Sequence, residues 1–155
     1  MLFRSGRVRR GYFVDGLSGA QFIRENDFSG AVLALSEPSE DIVWLSASDP
    51  FLPWGKYLPH LSDKNFMCVS GTAVALRAGV PIAVLEKNGK ALRVFDDNSL
   101  GEALLQFVKN FSDKRVLHDS NKITIKEYPA NAVDALKSAG FTPIMMDFVL
   151  YRGVR

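Results

Sequence analysis

Glycine and proline interrupt this chain so often that long elements have little room to form. Pro50, Pro53 and Pro59 fall within the stretch Asp49-Pro50-Phe51-Leu52-Pro53-Trp54-Gly55-Lys56-Tyr57-Leu58-Pro59. A fixed φ and a missing N–H bar such a stretch from a central strand or a helix interior. Asp15-Gly16-Leu17-Ser18-Gly19 reads as a turn, since its glycines tolerate positive φ. Asn88-Gly89 reads as a two-residue hairpin turn and Ala78-Gly79 as a second tight turn. Between these breaks lie short strand signals: Arg7 to Val14, with Val8, Tyr12 and Val14 on one side, then Asp41 to Ser46, Met67 to Arg77, Pro81 to Lys87, Ala91 to Phe95, and Lys122 to Lys126. Ala31-Val32-Leu33-Ala34-Leu35 fits either a buried strand or a short helix capped by Ser29 and stopped by Pro38.

Helical periodicity is clear further along. Leu100, Leu104, Phe107, Val108 and Phe111 recur at three-to-four spacing, behind the turn formers Asp96-Asp97-Asn98-Ser99. A shorter helix is expected over Ala130 to Ala139, ended by Gly140, with a strand-like run from Phe141 to Tyr151 closing the chain. The class that follows is α+β: strand-rich, a mostly antiparallel curved sheet or small β-barrel, with two or three short helices. Strands and helices do not alternate regularly, which argues against a doubly wound parallel sheet.

Composition narrows the function classes. Over 155 residues, 47% hydrophobic and 23% charged side chains describe a foldable globular chain of about one domain, not a disordered one. One cysteine and two histidines are too few for a structural zinc site, so no metal is expected; Cys68 reads as a buried, inert thiol. No uncharged apolar run approaches the roughly 18 residues of a spanning helix, and the start lacks a signal-peptide core, which points to the cytoplasm and away from membranes. No P-loop is present, since Gly55-Lys56 and Gly89-Lys90 lack the rest of that motif; a Gly-x-Ser-x-Gly elbow and a His-Glu-x-x-His pair are absent too. No cofactor is expected. Net charge is only +2, but Arg4, Arg7, Arg9 and Arg10 all precede the first acid, Asp15, and such a cluster can meet phosphates.

The opening run Gly6-Arg7-Val8-Arg9-Arg10-Gly11-Tyr12-Phe13-Val14-Asp15-Gly16-Leu17-Ser18-Gly19-Ala20-Gln21-Phe22 closely resembles the C-terminal region of the Lhr (large helicase-related) family of ATP-dependent DNA helicases. Three later stretches agree in order: Ser48 to Gly55 with its Asp-Pro-x-x-Pro-aromatic-Gly loop, the glycine-turned hairpin of Val80 to Leu92, and Ala135 to Phe141 as closing helix and turn. The resemblance implies motor domains far upstream, then winged-helix modules and a β-barrel similar to that of AlkZ-type DNA glycosylases, with uracil excision ascribed to such tails. Residues 1–14 would be the last strand or wing of a winged helix, and 15–155 a barrel-like α+β domain. The resemblance also tips residues 30–36 toward helix. The family's Ser-Pro before the closing helix is replaced here by Ala130-Asn131, a departure.

Candidate nucleic-acid-binding residues are therefore Arg7, Arg9 and Arg10, for phosphates, and Trp54, Lys56 and Tyr57, where a loop aromatic beside a lysine could stack on an unpaired base. Strand alternation sets Arg7 and Arg9 on one side and Arg10 on the other. Tyr12 and Phe13 are expected to place at least one ring in the core, Trp54 and Tyr57 alternatively plug the hydrophobic interior, and Gln21 is expected to satisfy a turn rather than read a base. No catalytic residue is singled out. Asp15 and Asp49 read as turn formers, Asp96-Asp97 as helix-capping acids, and His60 and His118 as loop residues without a nucleophile beside them.

The functional expectation is an accessory domain of an Lhr-type helicase that contacts DNA and serves DNA repair, has no motor, and is not catalytic by itself. The alternatives are a structural module that packs on upstream helicase and winged-helix domains through an apolar surface near Met1 to Phe3, or self-associates, and a part of a DNA glycosylase tail.

Overall fold

The computed structural model describes residues 7–153; Arg4 and the Met1–Phe3 stretch lie outside them. Among the described residues, nine strands and three α-helices follow one another in short runs. Strand β1 (Val8–Gly11) pairs antiparallel with β2 (Gln21–Arg24), and helix α1 (Glu25–Ser36) follows directly. A four-stranded antiparallel sheet comes next, in the order β3 (Ile42–Ser46), β4 (Ala73–Arg77), β5 (Val80–Glu86), β6 (Ala91–Val94). After α2 (Leu100–Ser112), strands β7 (Lys122–Ile125), β9 (Asp147–Tyr151) and β8 (Thr142–Ile144) form a third sheet in the order β7-β9-β8, with α3 (Val133–Ser138) between β7 and β8.

The two larger sheets meet where β6 begins. Ala91 and Glu127 form a parallel bridge, and the N–H of Leu92 donates to the Glu127 carbonyl at 2.8 Å. Helix α2 seals the surface they share. Its buried stripe, Leu100, Ala103, Leu104, Phe107 and Phe111, shares one core with Ile42 and Trp44 of β3, Ala73 and Ala75 of β4, Ile123 and Ile125 of β7, and Leu136 and Phe141 near α3. The Trp44 indole N–H donates to the Ala103 carbonyl at 2.8 Å, and its ring meets Phe107 edge-on at 5.1 Å. The opposite face of the four-stranded sheet carries a smaller core of Ala47, Leu52, Phe66, Val74, Leu76 and Val84, to which the proline loop contributes. Alternation on β4 divides Ala73 and Ala75 from Val74 and Leu76, so one strand serves both cores.

The fold is thus strand-rich, mostly antiparallel α+β with three helices; the sheets remain separate and do not close into a barrel. The helical reading of residues 30–36 holds. The helix starts earlier than Ser29, however, with Arg24 at the N-cap, and it buries no residue. The first strand stops at Gly11, leaving Tyr12 80% and Phe13 36% exposed, so neither ring joins the core. The strand expected from Met67 begins only at Ala73, because Gly71 takes φ +83° and breaks the extended run. The Glu86–Ala91 pair closes a four-residue loop rather than a two-residue turn, with Lys87, Asn88 and Gly89 all at positive φ. The run from Phe141 to Tyr151 is a hairpin, folded at Met145 with φ +55°. Cys68 is half-buried. Among the described residues no helix is long and apolar enough to cross a membrane.

Candidate nucleic-acid interface

The hairpin β1–β2 is short, and its connecting turn is held from within. Gln21 Oε1 accepts the N–H groups of Phe13 and Val14, both at 2.7 Å, while its amide donates to the carbonyls of Val14 at 2.9 Å and Leu17 at 3.3 Å. One carboxamide thereby satisfies four backbone groups that the strand pairing leaves unmatched. Gly16 and Gly19, at φ +79° and +86°, supply the conformations the turn requires.

The hairpin separates its arginines by face. Arg9 points toward α1: its Nε donates to Glu25 Oε2 at 3.2 Å, a second guanidinium N–H closes on Glu25 Oε1, and the group lies over the Phe28 ring at 3.9 Å. These interactions raise the Arg9 pKa and lower that of Glu25, the hydrogen bond between them being the main cause in both cases. Phe28 in turn meets Phe13 edge-on at 6.2 Å. Arg9 is therefore engaged in fastening helix to hairpin. Arg10 lies on the other face, opposite Phe22, and Val8 lies opposite Arg24. Directly opposed residues share a face, so Arg10, Phe22 and Arg24 form one exposed row. Arg24 also holds Asp27 at 2.6 Å. Arg7 borders a small cleft with Arg24, Glu25, Asn26 and Asp27. The side chains of Arg7 and Arg10 are exposed and have no ion-pair partner among the described residues.

The second set of candidates sits apart, on the proline loop. The Pro53 carbonyl accepts the N–H groups of Tyr57 and Leu58, both at 3.0 Å, which folds 53–58 into a tight knuckle. The Trp54 ring packs against the smaller core, and its indole N–H donates to the Gly79 carbonyl at 2.9 Å. Lys56 Nζ donates to the Asp49 carbonyl at 2.9 Å. Tyr57 remains 59% exposed. The knuckle bonds to its own loop and to the β4–β5 turn, and Arg9 bonds to α1, so the candidates divide between two surfaces. Only the strand register makes Arg24 and Phe22 neighbours of Arg10, so no short stretch of sequence marks them. Among the described residues no group of histidine, cysteine and carboxylate side chains is arranged to hold a metal ion.

Fold and surface together define a class: a strand-rich α+β domain led by an arginine-bearing hairpin and a helix docked on it. Residues 2–41 match the family described as the winged-helix domain of the large helicase-related protein. The chain is also similar to the Lhr helicase/uracil glycosylase of Escherichia coli (strain K12), 32% identical over 100 residues that cover 60% of this chain and 6% of that protein. The chain thus resembles the C-terminal region of Lhr-family proteins, as its motifs implied, and residues 2–41 carry winged-helix sequence of that family's kind.

Proposed function

We propose that this chain is an accessory domain of an Lhr-type DNA helicase that contacts the DNA backbone in the service of repair, with no motor of its own. The observation that carries this reading is the pair Arg7 and Arg10, two exposed guanidinium groups on a hairpin within the winged-helix match. Arginine on a wing-like hairpin is suited to phosphates and adjacent grooves. Within this reading Arg9 positions the hairpin, Tyr57 offers the stackable ring on the second surface, Lys56 lies beside it, and Trp54 braces their loop. We place the end of the winged-helix segment after α1, near residue 41 and not after residue 14, because the family match reaches that far and α1 packs on β1 and β2. Anisotropy of a labelled oligonucleotide, titrated with the full chain over a salt series, tests the proposal. Binding should weaken steeply with salt. Arg7→Ala with Arg10→Ala should lower the affinity and make the slope of log K on log salt shallower by about 1 for each phosphate no longer neutralised. Absence of binding at low salt would refute it.

One observation favours a second role alongside this. Helix α1 buries no residue and exposes Val32, Leu33 and Leu35, as a surface that receives the upstream modules of a parent protein would. The Escherichia coli relative is a uracil glycosylase as well as a helicase by its description, and this gives a third reading, in which the domain is part of a base-excising tail. Incubation of the chain with a uracil-containing oligonucleotide separates it: no excision is expected from this domain alone.

A further inference from the structure

Away from the hairpin, three loops border a cleft of about 330 Å³ with a mixed polar and apolar lining, within the range of small-ligand sites. One wall is the turn after β3, where the hydroxyls of Ser46 and Ser48 lie 2.7 Å apart. The floor is built by Gly71 and Asn88. The Asn88 N–H donates to the Gly71 carbonyl at 2.8 Å, and the Asn88 carboxamide oxygen sits 2.3 Å from where a β-carbon on residue 71 would stand. Only glycine lets that amide lie across the floor, and the φ of +83° at Gly71 favours it as well. The third wall is the loop after α2, fixed where the Arg115 N–H donates to the Asn110 carbonyl at 2.9 Å.

The charges in this cleft are unevenly engaged. Asp49 Oδ1 accepts the Phe51 N–H at 2.9 Å, and Asp119 lies 3.2 Å from His118. The Arg115 guanidinium has no ion-pair or hydrogen-bond partner among the described residues. Arg115 is a planar, permanently charged donor in a lining that also holds the Asp49 and Asp119 carboxylates, the Ser46 and Ser48 hydroxyls and the Asn88 amide; a guanidinium with such hydrogen-bonding groups suits a tetrahedral oxyanion carrying an uncharged polar body. We propose that this cleft binds a nucleotide through its phosphate, with Arg115 on the phosphate and Ser46, Ser48 and Asn88 supplying hydrogen bonds. The nucleotide is either free or one unit of a strand; in the second case the site rests on the nucleic-acid reading above and extends it to a second surface.

The test is a titration of the isotopically labelled full chain, followed by amide chemical shifts, with thymidine monophosphate, an eight-residue thymidine oligonucleotide and inorganic phosphate as probes. Shifts should saturate at Ser48, Gly71, Asn88 and His118 with at least one thymidine probe. Arg115→Ala should weaken binding at these amides at least tenfold, and Ser48→Ala severalfold. Arg115→Lys should restore part of the loss, and Arg7→Ala with Arg10→Ala should leave binding in the cleft unchanged when the monophosphate is the probe. Saturation by the oligonucleotide alone identifies a strand as the source; saturation by the monophosphate as well identifies the free nucleotide chemistry. Equal binding by wild type and Arg115→Ala, or no shifts in the cleft with either thymidine probe, would overturn the site, even with hairpin-dependent DNA binding intact. Inorganic phosphate binding as tightly as the monophosphate would overturn the nucleotide assignment. Loss of hairpin-dependent binding with the cleft still responsive would sink the hairpin reading alone.

Discussion

Gln21 and Asp96 show how single polar side chains shape loops in this protein. Replacing Gln21 with methionine keeps the bulk of the side chain but removes its four backbone hydrogen bonds. The expected cost is about 1 kcal/mol locally, seen as faster hydrogen exchange at the Phe13 and Val14 amides with the β5 amides unchanged. Asp96 acts through charge. Its carboxylate accepts the Ser99 hydroxyl and, at 3.1 Å, the Asn98 N–H, and Ser99 itself accepts from Arg77 at 2.8 Å. The Ser99 hydrogen bond is the main reason the Asp96 carboxyl titrates below its ordinary value, with Asn98 and Arg77 adding to the effect against a desolvation that opposes it. A carboxyl depressed in the folded state stabilises at pH above its unfolded value, near 4, and that contribution is lost as pH falls through the folded value. Solvent screens this group, so Asp96→Asn should lower stability by about 0.5–1 kcal/mol at pH 7 and differ little from wild type at pH 2, measured by urea unfolding at both. Gln21 is legible from the sequence as a turn former because its partners are near neighbours. The engagement of Arg9 is not, because Glu25 is sixteen residues away and meets it only through the hairpin and α1.

Among the elements, α2 is read most directly from the chain. Its apolar stripe predicts its buried side, and Phe107 sits at the centre of that side with Trp44 at 5.1 Å, Phe111 at 5.9 Å and Phe141 at 6.4 Å. Phe107→Ala should cost about 3–5 kcal/mol, whereas Leu105→Ala, on the 57% exposed side, should stay within about 0.5 kcal/mol; chemical denaturation of both variants decides it. Helix α1 has no such stripe buried, so five apolar residues between polar ones suit a strand or a helix equally well. The ends of strands are also poorly marked. Gly71 truncates β4 and Met145 splits the last run in two, each through a positive φ that apolar character does not announce.

At the scale of the whole molecule, α2 and the two larger sheets share one core, while the hairpin and α1 pack mostly on each other. Charged replacements on α1, Val32→Glu with Leu33→Glu, should leave the thermal midpoint of this chain nearly unchanged, because these side chains are 51% and 58% exposed. A fall of many degrees would show that α1 is buried in solution. The same variants should weaken binding of upstream modules under the second reading of the function.

Local chemistry settled much of this protein in advance. Prolines and glycines placed the breaks, three-to-four periodicity placed α2, short apolar runs between the breaks placed the inner strands, and the crowded early arginines marked the basic hairpin. Those signals act over a few residues, so a short stretch of sequence contains them whole. The tertiary structure alone decided that the sheets stay open, that Arg9 turns to Glu25 while Arg10 joins Phe22 and Arg24, and that Ser46, Asn88 and Arg115 meet around one cleft. Each of these depends on register and packing between segments distant in the chain, where the outcome is set by which surfaces exclude water together and not by the preference of any residue for its own conformation.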